Sequence, residues 1–326
     1  MKKYCHRLMI IIGVCILLSG CGNPEKSKVT VVLDWTPNTN HTGLYVAVNE
    51  GYFEQEGLHV EIIQHQEGTA EQLVSAGSAQ FGISYQENVT FARAEGIPII
   101  SLAAVIQHNT SGFASLQEKG IVSAKDFENK KYGGWGSPIE EATLRYLMEQ
   151  EGADPEKMQI VTTGDADFFQ ASSTGEIDYA WIFEGWAGIE ARLKGMELNY
   201  IDLGKVAEVF DYYTPVIITS ENQIHENRGL VEKFMRAVEK GYQFAIENPD
   251  AAAEVLMEHA PELDRELVVE SQRYLADKYQ DDAPYWGMQK KEVWERYMNW
   301  LFDNTFITEK VDVSKAYTNE FLSGEE

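Results

Sequence analysis

What most constrains this 326-residue chain is a change of rhythm along its length. Short β-branched runs alternate with amphipathic stretches to about residue 219, and beyond that the pattern is almost wholly helical. Such alternation marks α/β architecture, because each parallel strand needs a crossover before the next can pair with it. The first series predicts strands over 29–33, 60–63, 81–84 and 97–106, with helices over 42–49, 69–76 and 88–94 between them. The second predicts strands over 132–135, 160–162, 179–183 and 200–203, with helices over 138–151, 168–173 and 186–193. One strand over 214–219 follows, then helices over 230–248, 251–259, 266–279 and 290–302. Two αβ series of similar size predict two lobes. A helical tail with no strands of its own must pack on an existing sheet, and the first lobe is its natural host. The chain then crosses between lobes near 107–112 and again near 210–215. That gives lobe 1 as residues 29–108 plus 214–326, lobe 2 as 109–213, and a two-segment hinge with a cleft suited to a small ligand.

The first residues set the location. Lys2, Lys3 and Arg7 precede an apolar run over 8–18, and Leu18-Ser19-Gly20-Cys21 follows. The run is too short to span a bilayer comfortably, and small residues before a cysteine match a lipoprotein processing site. Residues 1–20 therefore read as a signal peptide, Cys21 as the lipidated first residue, and 21–28 as a polar tether. An uncleaved anchor helix is the alternative, and both readings put the domain outside the cytoplasm. Cys5 and Cys15 leave with the signal peptide, so the mature domain has no disulfide, cysteine zinc site or cysteine nucleophile. Membrane attachment is expected through the lipid alone. The formal charge of −25 becomes more negative once three basic residues are removed. Such a surface repels nucleic-acid phosphates and anionic headgroups, so no nucleic-acid partner is expected.

Catalytic signatures are missing from the sequence. There is no Gly-x-Ser-x-Gly elbow, no His-Glu-x-x-His and no phosphate loop, and the histidines lack metal-ligand spacing. No metal or cofactor is expected. What rises above background is aromatic and polar sequence at the predicted strand ends, where open α/β sheets hold their ligands. In the segment from Asp34 to Gly43, Trp35 offers a flat face, Asn38 a donor and an acceptor, and His41 a tunable ring. Alternatively Trp35 is core and Asn38 only shapes the turn. In Gly133-Gly134-Trp135-Gly136-Ser137-Pro138-Ile139-Glu140, Ser137 and Glu140 form a capping box with Pro138 at the first helical position. The backbone N–H groups of Trp135, Gly136 and Ser137 then offer a site for a ligand oxygen. In Phe183-Glu184-Gly185-Trp186, a carboxylate between aromatics suits a ligand amino group if buried, or faces solvent if not. Tyr85, Glu87, Asp165 and the run Asp211-Tyr212-Tyr213 share the strand-end position with less support.

Asp34-Trp35-x-Pro37-Asn38-x-x-His41-Thr42-Gly43 and Gly51-Tyr52-Phe53-x-x-x-Gly57-Leu58 resemble the periplasmic-type binding proteins related to fungal thiamine pyrimidine synthases. The resemblance spans essentially the whole mature chain. It implies a type II periplasmic-binding-protein fold that closes on a small aminopyrimidine such as formylaminopyrimidine. It also implies a monomeric capture subunit, free of cofactors, working with ABC permease and ATPase subunits. On that resemblance, aromatic faces stack on the ring, Glu184 accepts from its exocyclic amine and Asn38 meets a ring nitrogen or formyl group. The Gly-Tyr-Phe segment is shared with relatives that bind sulfonates, nitrate or riboflavin-like compounds, so another small aromatic solute stays open. So does a synthase, although Ser84 and Asn88 stand where the fungal lysine and histidine would align, and no cysteine lies near 214–219.

Overall fold

The computed structural model describes residues 26–64, 68–164 and 167–325. The signal peptide, Cys21, most of the tether, His65 and Asp165 lie outside the described residues. Among those described, ten strands form two five-stranded sheets. The first contains β1 (Ser27–Leu33), β2 (Leu58–Gln64), β3 (Phe81–Ser84), β4 (Ile99–Ala104) and β10 (Val216–Ser220), in the order β2-β1-β3-β10-β4. The second contains β5 (Ser111–Leu116), β6 (Lys131–Gly134), β7 (Gln159–Thr162), β8 (Tyr179–Phe183) and β9 (Leu198–Asp202), in the order β7-β6-β8-β5-β9.

Both sheets follow one plan. A lobe's own first strand sits between its second and third in parallel, as β1 does with β2 and β3 and β6 with β7 and β8. Beyond these lies an antiparallel strand that has just arrived from the other lobe, β10 in the first sheet and β5 in the second. Each crossing thus delivers a strand into the middle of the opposite sheet, the layout of a type II periplasmic-binding-protein fold. Among the described residues, no helix is long and apolar enough to cross a membrane.

Strand β5 escapes sequence patterning, and the segment 107–112 is only partly the crossover that rhythm suggests. Ser111-Gly-Phe-Ala-Ser-Leu116 has no β-branched residue, so its local preference for a strand is weak. Its central place in the sheet is what makes it a strand. Gly112 is required there, because a Cβ would overlap the Ile201 carbonyl oxygen and the Tyr200 ring.

The first helix of the tail, Glu221–Glu247, begins nine residues before the apolar periodicity does. Ser220 caps it by accepting the Gln223 N–H at 3.1 Å, and its first two turns are polar because they face water. It crosses the helix Thr42–Asn49 so closely that a Cβ on Gly241 would overlap the Gly43 carbonyl oxygen. Beside that crossing, Tyr242 stacks on Trp286 at 4.4 Å. The tail does not keep to the first lobe. Trp300, on the last helix Lys291–Asp303, stands edge-on to Tyr146 and Phe210 of the second lobe, at 5.8 and 5.0 Å. One buried apolar cluster runs from Val32 and Val89 through Tyr212, Tyr297 and Trp300 to Phe113 and Tyr132. Buried aromatics of this size each contribute roughly 1.5–3 kcal/mol of transfer free energy, so the last helix ties the lobes together behind the hinge.

Candidate functional site

A cavity of about 440 Å³ lies between the lobes at the carboxyl ends of the parallel strands. From the first lobe, Asp34, Trp35, Asn38 and Thr39 after β1 and Tyr85 after β3 reach it. From the second come Trp135 after β6, Trp181 and Phe183 on β8, and Trp186 beyond it. Trp35 and Trp135 are half exposed, at 52% and 50%, which is unusual for tryptophan unless its face is kept for a partner. Trp135 and Trp181 lie 5.7 Å apart and tilted, forming one aromatic wall.

The opposite wall is polar and tightly built. The Asn38 side chain accepts the Asn40 N–H at 2.9 Å and donates to the Thr36 carbonyl at 2.9 Å, so it shapes the turn and also lines the cavity. The Asn38 backbone N–H donates to His41 Nδ1 at 3.2 Å, so the ring's N–H is at Nε2, where it donates to Asp34 Oδ1 at 2.7 Å. The Tyr85 hydroxyl donates to Asp34 Oδ2 at 2.6 Å. Burial alone would raise the Asp34 pKa, but the His41 and Tyr85 contacts outweigh it and hold the carboxyl below the usual carboxylate range. The same charge, added to burial, pushes the Tyr85 hydroxyl well above its ordinary value. His41 is fully buried behind Asp34 and does not line the cavity.

Two of the sequence expectations need correction. Ser137 caps the helix Pro138–Gln150 as expected, but its glycine-rich lead-in is already occupied. The N–H groups of Trp135, Gly136 and Ser137 donate to the Glu140 carboxylate at 3.2, 2.8 and 2.8 Å, and the Tyr132 hydroxyl joins them at 2.5 Å. The anion this nest holds is the protein's own, so the N–H groups of Gly136 and Ser137 are already taken, and of the three residues Trp135 lines the cavity. Glu184 is the second. Residues 184–188 wind as a single π turn where an ordinary helix from 186 was expected, and the carboxylate folds back against Gly188 to pair with Arg192. It lies in a separate hollow on the second lobe. Among the described residues, the carboxylates that do line the cavity are those of Asp34, Asp167 and Glu190. Asp34 heads the first motif, and its place at a strand end is the signal that points to it. Asp167 reads as a helix cap, and it does accept the Gln170 N–H at 2.7 Å. Glu190 has no local signal in the sequence; the π turn brings it round.

The remaining candidates serve the frame. Asp211 accepts from the Asn109 N–H at 3.0 Å and from His108 Nδ1 at 2.8 Å, cross-linking the two hinge segments. The hydrogen bond to Asp211 raises the His108 pKa to about 9 against the opposing effect of burial, with Asp282 adding to the rise. Tyr212 and Glu87 meet behind the cavity, where burial pushes the Glu87 carboxyl up to about 8. Ser84 and Asn88 both donate to Glu71. One further contact closes the cavity's edge: Ser271 donates to the Gly185 carbonyl and receives the Thr39 hydroxyl at 2.6 Å, joining both lobes through the tail.

A family model described as NMT1/THI5 like matches residues 38–252. The chain belongs to this family. It is 30% identical over 322 residues to the formylaminopyrimidine-binding protein of Halalkalibacterium halodurans, covering 95% of this chain and 96% of the relative. It is 24% identical to the 4-amino-5-hydroxymethyl-2-methylpyrimidine phosphate synthase of Legionella pneumophila, covering 91% and 93% of the two chains. Among solved structures, the periplasmic aliphatic sulphonate binding protein of Escherichia coli shares the fold, with a TM-score of 0.70 at 14% identity over 91% and 99% of the chains. Relatives of this chain are thus named both as a binding protein and as a synthase.

Proposed function

We propose that this chain is an extracytoplasmic binding lipoprotein, anchored through Cys21, that captures a thiamine-related aminopyrimidine such as formylaminopyrimidine for an ABC permease and its ATPase, and releases it unchanged. The observation that carries this reading is the make-up of the cavity: flat aromatic faces from the second lobe opposite an ionised carboxylate and an amide from the first. A flat ring stacks on such faces, and its amino group finds acceptors. A sulfonate or nitrate is held best by cationic donors, and none of the described lining residues is Lys, Arg or His. Ser84 and Asn88, which hold Glu71 and stand where the resemblance to the fungal synthases would put their lysine and histidine, favour binding over synthesis. Thermal shift against formylaminopyrimidine, hydroxymethylpyrimidine, riboflavin, taurine and nitrate tests the reading. Stabilisation by the pyrimidines alone is the expected result, and stabilisation by taurine or nitrate alone would discard it. Incubation with pyridoxal phosphate and iron, followed by a search for pyrimidine product, separates the synthase alternative.

A further inference from the structure

We propose that Ser271 is a positioning residue for binding, a latch that holds the two lobes together over the ligand and slows its release; this rests on the reading of the cleft as a binding site. Ser271 acts on the cavity through its neighbours. It sits in the middle of the tail helix Arg265–Ala276, fully buried, and is not among the residues that line the cavity. The ordinary partner of a serine in that place is a carbonyl one turn back in its own helix, here that of Leu267. Ser271 instead gives its proton to the Gly185 carbonyl, in the π turn of the second lobe. Tyr274 and Leu275, on the same face of the helix, are the side chains that a Cβ on Gly185 would meet, so the glycine is what lets this carbonyl come within reach.

The order of protons along this contact is fixed. A carbonyl has none to give, so the single Ser271 proton goes to Gly185 and the Thr39 hydroxyl must donate to Ser271, at 2.6 Å. Hydrogen bonds in such a chain polarise one another, so the Thr39 donation strengthens the grip on Gly185. Thr39 is itself pinned, because the Tyr279 hydroxyl donates to its carbonyl at 2.6 Å. The loop that carries Asn38 and Thr39 and the tail helix behind it therefore form one preset piece, and the second lobe brings its carbonyl to it. Opening the lobes returns the Gly185 carbonyl and the Ser271 hydroxyl to water, where both find partners. The bond thus favours the closed form by the net worth of a neutral hydrogen bond, roughly two- to tenfold in the closing equilibrium. Gly185 and Thr39 both line the cavity, so the closure it holds is that of the ligand's own walls.

Two measurements on the purified protein test this: stopped-flow tryptophan fluorescence with hydroxymethylpyrimidine as probe, and distances between spin labels on exposed positions of the two lobes, introduced as Glu61→Cys and Lys125→Cys. Ser271→Ala should release the probe about two- to tenfold faster, leave the association rate within about twofold, and move the distances between the lobes towards longer values. Ser271→Cys, close to serine in size but a weak donor, should give the same readout should the alanine disturb packing. Release and distances that both stay unchanged while the pyrimidine still binds overturn the latch and leave the functional reading standing. A lower melting temperature with release and distances unchanged also overturns it, since the serine is then only structural. If the wild type binds no pyrimidine, the functional reading is discarded and the distances alone decide the latch: longer in Ser271→Ala upholds it, unchanged overturns it.

Discussion

Two loops of this protein are alike in sequence and opposite in outcome. Leu33-Asp34-Trp35 and Phe183-Glu184-Gly185-Trp186 both end a strand on a carboxylate with a tryptophan close behind. Asp34 turns into the cavity, where donors from the next turn and from the end of β3 are already waiting for it. Glu184 turns away, because its own π turn brings Arg192 within reach on the other side. The direction of a strand-end carboxylate is therefore set by where its donors stand in the folded sheet. The aromatic residues on either side of it do not decide the matter.

The sharpest break of this contrast is Asp34→Asn. Losing a charge-assisted acceptor in a closed site should weaken pyrimidine binding by about 1.5–3 kcal/mol, roughly ten- to a hundredfold, measured by calorimetry. An unchanged affinity would place the ligand away from the first loop. Next comes Gly185→Ala. Its Cβ would meet Leu275 at 2.9 Å and Tyr274 at 3.3 Å, side chains of the tail helix on the first lobe. The touching atoms belong to side chains that can give, so a strain of about 1–1.5 kcal/mol falls on the closed form; affinity should drop about five- to tenfold and ligand-induced compaction in small-angle scattering should shrink.

Asp211 extends the contrast to the hinge, where the histidine partner is half in water. Because the His108 pKa is raised to about 9 in the folded protein, the stability it lends is complete below its ordinary value near 6.5 and is lost as pH rises through about 9. Melting temperature should therefore fall between neutral pH and pH 9.5 by more in the wild type than in His108→Gln; equal slopes would show that the pair contributes nothing. The smallest effect is expected for Glu184→Gln. Its partner Arg192 is 54% exposed, so affinity should stay within about threefold and stability within about 1 kcal/mol. A larger loss of binding would restore Glu184 to the site.

Much of this was legible beforehand. The strands over 81–84 and 179–183 and the helix over 168–173 lie where the rhythm puts them, because local preference and burial agree there. Trp35, Asn38, Tyr85, Trp135, Phe183 and Trp186 are marked by their strand-end positions, and the structure brings all six to one cavity. The signal at Gly136 and Ser137 is ambiguous for a physical reason: a nest of N–H groups signals an anion without saying whose, and the capping-box Glu140 supplies it. Glu190 was missed because its approach depends on an irregular turn, and β5 because its strand character comes from its neighbours.

The sequence by itself determined two αβ series, a helical tail and a set of aromatic strand ends, since these follow from periodicity and side-chain type acting over a few residues. Tertiary structure decided which carboxylates face the cavity, which N–H groups are already taken, and that the last helix would lie across both lobes. Those outcomes depend on which donors the folded backbone brings within reach of each charge, near or far in sequence, and strand or helix periodicity does not encode that.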